Sequence, residues 1–154
     1  RKVWLVELIP MGLRSWIIWK GANIGYGLAS KLFWPRASAV ALVEREDKLL
    51  AVDTGSYLML PGGGLEYGES FSEAAKREAR EETGYDVRIK DEVKRGINSV
   101  GGAEVFFDAD LVEQEKVGES SWEGDPIWVE LDEIDDRKWR HNRDINSLLR
   151  YKQS

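Results

Sequence analysis

Three acidic residues, Glu78, Glu81 and Glu82, lie three and four positions apart in the stretch EAAKREAREE. In a helix, residues at these spacings are surface neighbours, so the three carboxylates can converge on one face. Like charges at this spacing destabilise a helix by roughly 0.2–0.5 kcal/mol per pair, a cost that a bound cation removes. Hard carboxylate oxygens suit Mg²⁺ or Mn²⁺ better than softer metals. The cluster therefore predicts a divalent-cation site, with Mg²⁺ the expected ion and Mn²⁺ the alternative.

Arg77 and a run of glycines accompany the acidic cluster. Arg77 precedes Glu78 directly and Glu81 by four positions, so its planar guanidinium can brace a carboxylate through a bidentate contact. It would then orient a ligand without touching a substrate. The glycines at positions 62–64 let backbone groups approach a metal or phosphate closely, because they carry no side chain. The alternative interpretation is a solvated, charged helix face.

The helix that must position these residues has clear signals at both ends. Ser70 can cap its first turn, and Glu73, three residues later, completes a capping box. The helix is predicted to run to about Thr83, where Gly84 can adopt the left-handed conformation that ends a helix. The glycine turn, the cap and the stop frame the cluster at fixed distances, which favours a site over a solvated face.

The remaining segments predict strands around this helix and a second helix near the end. Residues 37–43 and 49–52 are apolar and are joined by the charged turn EREDK, which predicts a hairpin. Further strands are predicted at 57–60 and in YDVRI, VFFDADL and IWVEL, and a helix at 143–151. The order strands, helix, strands, helix indicates an α/β chain of the α+β kind.

The chain length, the net charge and the counts of cysteine and histidine restrict the possible functions further. The chain of 154 residues has room for one catalytic domain and an extension. A formal net charge of -6 argues against a general nucleic-acid binder, so a phosphate-bearing substrate needs local help, such as a bound cation.

The absence of cysteine excludes disulfides, thiolate chemistry and Cys-ligated zinc. His141 is the only histidine and is expected to be a surface or capping residue. The cytosol is the default compartment.

The N-terminal segment differs in composition from the rest. Residues 1–34 contain four of the seven tryptophans, among aliphatic residues broken by charges and a proline. No apolar run reaches the roughly 18–20 residues that span a bilayer, and the pattern of a secretory signal is missing. We expect a partly helical extension that packs on the domain or on a second copy in a homodimer. The alternative is a weak membrane contact through residues 1–34.

The stretch from Gly63 to Tyr85 resembles the Nudix box. That motif is Gly, five residues, Glu, seven residues, Arg-Glu, an aliphatic residue, any residue, Glu-Glu, any residue, Gly and an apolar residue. The matching positions here are Gly63, Glu69, Arg77, Glu78, Ala79, Glu81, Glu82, Gly84 and Tyr85. The resemblance implies the Nudix fold, a mixed β-sheet sandwiched between helices, over residues 36–154, with residues 1–35 as a Trp-rich extension.

The resemblance also implies roles for the residues of the box. Arg77 would belong to the catalytic set. Glu78 and Glu82 would be the leading metal ligands, Glu81 would assist them or handle the water, and the Gly63 carbonyl would join the coordination shell. Glu69 would be more peripheral.

The resemblance implies a general base either in the box or on a later loop. Glu119 and Glu123 are the candidates outside the box, and the alternative for each is an exposed acidic loop.

The implied activity is hydrolysis of a phosphoanhydride bond in a nucleoside diphosphate linked to another moiety, such as a nucleoside triphosphate or a nucleotide sugar. The marks of the ADP-ribose and dinucleoside polyphosphate types are missing, since Val100 and Gly101, and Ala103 and Glu104, occupy their places. The alternative is a module that binds a nucleotide without turnover. Trp122 is the candidate for base stacking, whereas core packing is expected for Trp34, Phe106, Phe107 and Trp128.

Overall fold

The computed structural model describes residues 37–113, 115–118 and 124–152. In these residues the strands are β1 (Ser38–Arg45), β2 (Lys48–Asp53), β3 (Leu58–Met59), β4 (Gly62–Gly64), β5 (Val87–Ile97), β6 (Ala103–Leu111) and β7 (Asp125–Glu130), and the α-helices are α1 (Phe71–Thr83) and α2 (Ile145–Lys152). The extension predicted at residues 1–35 lies outside the described residues. No helix among the residues searched has the length and apolar character needed to cross a membrane.

Strand β1 lies at the centre of the sheet because three strands, one of them its hairpin partner, pair with it. It runs parallel to β6 and antiparallel to β4, and its far end forms the predicted hairpin with β2. Strand β2 continues the sheet through β7 and β3, and β5 pairs with β6 at the other side. The parallel pair among antiparallel ones makes the sheet mixed, as predicted.

Helix α1 begins and ends where the sequence predicts. The Glu73 amide donates to Ser70 Oγ (3.3 Å) and the Ser70 amide donates to Glu73 Oε2 (2.9 Å), which forms the capping box. Gly84 ends the helix with φ of 75°, and its amide donates to the Arg80 carbonyl (2.8 Å). The helix packs close to the sheet because the side chains on its inner face are small. The fully buried ones there are Ala74, Ala75 and Ala79.

Two apolar cores lie on the two faces of the sheet. One is between the sheet and α1, and it includes Phe107. The other is under α2 and a 3-10 helix at Leu131–Asp136, and it includes Phe106. Trp128 is partly buried against the α1 core, where its ring meets Tyr85 edge-on at 5.7 Å. Because helices cover both faces, the predicted sandwich is confirmed.

The element boundaries differ from the prediction in several places, and residues 62–64, predicted as a glycine turn, form the short strand β4 because they pair with β1. The strand predicted in YDVRI begins only at Val87 and continues to Ile97, because Tyr85 turns into the core instead of joining the ladder. No element was predicted between IWVEL and the last helix, where the structure has two short 3-10 helices, Leu131–Asp136 and Arg140–Asn142; Leu131, predicted in the strand, begins the first of them.

Candidate functional site

Arg77 connects most of the acidic residues of the site. Its Nε and Nη2 donate to the two oxygens of Glu69 (both 2.9 Å), and Nη2 also donates to the Gly64 carbonyl (2.9 Å). Its Nη1 donates to Glu78 Oε1 (2.8 Å) and Glu81 Oε2 (3.2 Å). The hydrogen bond to Glu69 and the neighbouring Glu78 raise the pKa of Arg77 far above its usual range, against the effect of burial. The guanidinium is therefore permanently charged, and hydrogen bonds to four residues fix its position.

Glu69, which the sequence places at the periphery, is the bidentate partner of Arg77. The Glu66 amide also donates to Glu69 Oε2 (2.9 Å). The hydrogen bonds from Arg77 hold the pKa of the Glu69 carboxyl below its usual range, although partial burial opposes this. Glu69 therefore stays ionised and fixes the direction of the guanidinium.

Glu78 and Glu82 face the glycine strand β4. The Gly62 amide donates to Glu82 Oε2 (2.8 Å), and Glu82 is only 4% exposed although it is charged. The Glu78 carboxylate lies so close to Gly63 that a Cβ added there would overlap it. Because α1 repeats every 3.6 residues, these two glutamates occupy the same side of the helix, one turn apart. A side chain at position 63 would displace the Glu78 carboxylate, and one at position 62 would meet the backbone of Ala39 and Val40 in β1.

Glu81 lies on a different side of the cluster. Its side chain is 58% exposed, and Arg77 Nη1 lies between its carboxylate and that of Glu78. Among the residues described, no three histidine, aspartate or glutamate side chains are close enough to enclose a metal ion. The predicted convergence of all three glutamates on one cation therefore stays a prediction.

The donor set beside β4 suits a hard divalent cation. Glu69, Glu78, Glu81 and Glu82 carry four negative charges, and Arg77 supplies one positive charge among them. Carboxylate and carbonyl oxygens are the ligands that Mg²⁺ takes in proteins. Glu78 and Glu82, with the backbone at Gly63, are therefore the residues that could hold such an ion.

A cavity of about 240 Å³ opens beside the glycine strand. Part of its wall is apolar and comes from the core on the α2 side; these residues are Val40, Leu58, Leu60 and Trp139. The polar part of its wall includes Ser38, Asn98, Glu104, Arg140, His141 and Arg143. The strand β4 itself lines the cavity, so the cavity and the acidic cluster share one backbone segment.

A strained turn brings several of these polar groups to the cavity. His141 and Asn142 have φ of 58° and 50°, in the left-handed region that non-glycine residues seldom occupy. His141, expected at the surface, is exposed and lines the cavity. Arg140 and Arg143 flank this turn, and sequence reasoning missed both as site residues. The segment contains no glycine or motif that signals a binding loop, so only the tertiary structure identifies it.

Three residues predicted for the site lie in a segment that is not described. Glu119 and Glu123, the candidate bases outside the box, and Trp122, the candidate for base stacking, all fall within residues 119–123. Their roles stay predictions. Trp34 lies outside the described residues as well.

The comparisons with known proteins agree on one family. A family model described as "NUDIX domain" matches residues 34–151. No curated protein sequence matches the chain.

Solved structures share the fold at low sequence identity. A NUDIX hydrolase from Nitrosomonas europaea superposes with a TM-score of 0.64 at 24% identity, covering 78% of this chain and 89% of that one. An ADP-ribose pyrophosphatase from Streptococcus suis has a TM-score of 0.60 at 22% identity, with 77% and 89% covered. A UDP-X diphosphatase has a TM-score of 0.61 at 18% identity, with 92% and 78% covered.

Proposed function

The chain belongs to the Nudix hydrolase family, and from this membership we propose that it cleaves a phosphoanhydride bond of a nucleoside diphosphate linked to another moiety, by attack of water at phosphorus. The observation that carries the proposal is the placement of Glu78 and Glu82 against a glycine strand that also lines a cavity. A diphosphate lying along β4 would be next to the carboxylates, while the group attached to it occupies the cavity.

The proposed metal site consists of the Glu78 and Glu82 carboxylates and the Gly63 carbonyl, with Glu81 assisting. A divalent cation held there, Mg²⁺ or Mn²⁺, would neutralise phosphate charge and lower the pKa of a bound water. Glu81 is the most exposed of these carboxylates, which supports a second role for it as the acceptor of a proton from water. Glu119 and Glu123 remain the candidate bases outside the box.

Arg77 acts as a positioning residue in this proposal. It holds Glu78 through Nη1 and is itself held by Glu69, so the proposed ligand carboxylate keeps its direction before any substrate arrives. A ligand fixed in advance loses little entropy when the metal and the substrate bind.

The cavity limits which part of a substrate it accepts. Drug-sized ligands occupy pockets of about 300–1,000 Å³, and this cavity, at about 240 Å³, is smaller. It suits one nucleoside, while the phosphates and a second moiety lie outside. Arg140 lines the cavity, and within the described residues its side chain donates a hydrogen bond only to the Met59 sulfur (3.7 Å). This cation is therefore placed to attract a phosphate oxygen of the same substrate.

The test is a panel of nucleoside triphosphates and nucleotide sugars, incubated with the full chain and Mg²⁺ or Mn²⁺, with every product identified by mass spectrometry. We expect cleavage of a phosphoanhydride bond that requires the divalent ion and stops in EDTA. In H₂¹⁸O the label should appear in a phosphate product, because water attacks phosphorus. Tight nucleotide binding without any product would favour a nucleotide-binding module instead.

A further inference from the structure

The polar wall of the cavity contains an ion pair that does not belong to the acidic cluster. Arg143 Nη2 donates to both oxygens of Glu104 (3.0 and 3.1 Å), and its guanidinium lies over the Phe106 ring at 4.8 Å. The two side chains are 24% and 13% exposed. Contact with a carboxylate on one side and an aromatic ring on the other restricts the guanidinium to one position.

Both partners lie on parts of the fold that hold them still. Glu104 is on β6 and pairs in register with Ser38 of the central strand. Arg143 follows the strained turn at His141 and precedes α2, whose first turn is capped by the Asp144 carboxylate accepting from the Ser147 amide (2.8 Å). The ion pair therefore connects strand β6 to the N-terminal end of α2 in the cavity wall.

The pair leaves complementary hydrogen-bonding groups for a ligand. A guanidinium has five N–H donors and no acceptor, and a carboxylate has about four acceptor positions and no donor. In the described part of the chain, Arg143 has no second carboxylate partner. The cavity wall thus presents a donor beside an acceptor, which matches a ligand edge that has an acceptor beside an N–H.

The apolar part of the cavity wall selects the shape of that ligand. Val40, Leu58, Leu60 and the Trp139 ring present carbon atoms to the space. An apolar wall suits the faces of a planar heteroaromatic ring better than a sugar, whose hydroxyls would lose water without gaining partners.

We propose that the Arg143–Glu104 pair determines which base the cavity accepts, by pairing with a base edge that carries an N–H next to a carbonyl or a ring nitrogen. This inference rests on the proposed function, because it assigns the nucleoside end of the substrate to the cavity. In it, Glu104 accepts from the N–H of the base and Arg143 donates to the neighbouring acceptor. A purely structural ion pair would affect stability and leave base preference unchanged.

The experiment compares the unmodified full chain with Glu104→Gln. Initial rates with Mg²⁺ are measured on the four ribonucleoside triphosphates and on ADP-glucose, GDP-glucose, CDP-glucose and UDP-glucose. We expect kcat/KM for the preferred base to fall about 10- to 100-fold. The kcat/KM values for the different bases should become more alike, because a carboxamide can donate as well as accept. The matched control is Glu92→Gln, which removes a carboxylate paired with Arg95 (2.7 Å) on an exposed part of β5. It should keep both the rate and the ratios.

A second measurement separates this inference from the proposed function. Equilibrium dialysis of the four nucleoside monophosphates in EDTA reports the base preference without metal or hydrolysis. Preferential binding that Glu104→Gln abolishes supports the inference even if no substrate is cleaved. Hydrolysis with unchanged base ratios in Glu104→Gln overturns the inference and leaves the proposed function standing.

The remaining outcomes are also decisive. An unmodified chain that shows no base preference in either binding or hydrolysis would overturn the inference. If Glu104→Gln does not fold, Glu104→Asp keeps the charge and shortens the reach. Glu104→Asp should lower kcat/KM selectively for substrates with the preferred base. Unchanged kcat/KM ratios between bases in that variant would overturn the inference.

Discussion

Arg77 shows how one side chain sets the geometry of the acidic cluster. Its guanidinium binds Glu69, Glu78 and Glu81, while Glu82 is held separately by the Gly62 amide. Neutralising a carboxylate in such a cluster without changing its shape separates the electrostatic role of the residue from its packing role. Three predictions at the scale of the residue follow from these contacts.

Glu82→Gln should leave the fold intact and remove most of the activity. The glutamine oxygen can still accept from the Gly62 amide, but the charge that the proposed metal ligand supplies is lost. Since metal-ion stabilisation is worth several kcal/mol, we expect kcat/KM to fall by on the order of 100-fold or more. Full activity at a matched melting temperature would refute the assignment of Glu82 as an essential ligand.

Gly63→Ala should reduce activity because the added methyl group overlaps the Glu78 carboxylate. A displacement of about 1 Å at a reacting centre can cost roughly 100-fold in rate. The matched control is Gly96→Ala on β5, where an added Cβ meets no atom within 4 Å. Equal rates for Gly63→Ala and the control would contradict the close packing of Glu78 on β4.

The Glu69–Arg77 contact should make stability depend on acid pH. The pKa of Glu69 is lowered in the folded chain, so its stabilising contribution is complete above the unfolded value of about 4.3 and is lost as pH falls through the folded value. The difference in unfolding free energy between the unmodified chain and Glu69→Gln should therefore shrink on acidification below about pH 4.3. A ¹³C NMR titration in which the Glu69 carboxyl titrates at or above 4.3 would contradict this.

At the scale of the element, the β1–β2 hairpin has a turn that its sequence suits poorly. Glu46 and Asp47 have φ of 49° and 60°, values that two-residue hairpin turns need and that glycine and asparagine adopt most easily. The hydrogen-bonded strands on either side impose this conformation on residues that disfavour it.

Replacing the two turn residues by Glu46→Asn and Asp47→Gly should stabilise the chain. The left-handed conformation costs roughly 1–2 kcal/mol for a residue with a Cβ, so we expect a gain of about 1 kcal/mol in unfolding free energy. Urea unfolding would measure it. The same pair of substitutions should leave kcat/KM unchanged, because the turn is not part of the cavity wall. A lower unfolding midpoint would contradict the assigned turn geometry.

At the scale of the whole molecule, a charged network joins the last helix to the sheet. Lys152 of α2 contacts Asp108 of β6 and Glu44 of β1 (both 2.7 Å), and Asp108 also contacts Lys90 of β5 (2.8 Å). Burial alone would raise the pKa of Asp108, but the hydrogen bonds from the two lysines outweigh it and lower that pKa. The network connects elements that are far apart in the chain.

Lys152→Met should destabilise the fold by about 1–3 kcal/mol, because it leaves the mostly buried Asp108 with one partner fewer. Lys48→Met is the control, since Lys48 pairs with Glu130 at the surface and such pairs contribute about 0–1 kcal/mol. Thermal or urea unfolding of the two variants gives the comparison. Equal destabilisation would mean that the network contributes no more than an ordinary surface pair.

Helix α1 and the identity of its acidic residues were predictable because their signals are local. The Ser70–Glu73 box, the Gly84 stop and the spacing of the glutamates all act within a few residues, so one segment of sequence carries them. The hairpin and the two apolar phenylalanines of β6 were predictable for the same reason. By contrast, the late start of β5 depends on Tyr85 packing against Trp128, a partner from another strand.

By itself, then, the sequence determined the family, the mixed sheet between helices and the segment that holds the glutamates. Only the tertiary structure decided which carboxylates face β4, how Arg77 separates Glu78 from Glu81, and that Glu104 meets Arg143 in a cavity. The physical reason is the distance along the chain over which each interaction acts. Helix caps and hydrophobic periods are set by neighbours in the chain, whereas a cavity wall forms where distant segments pack, and that packing depends on the free energy of the whole fold.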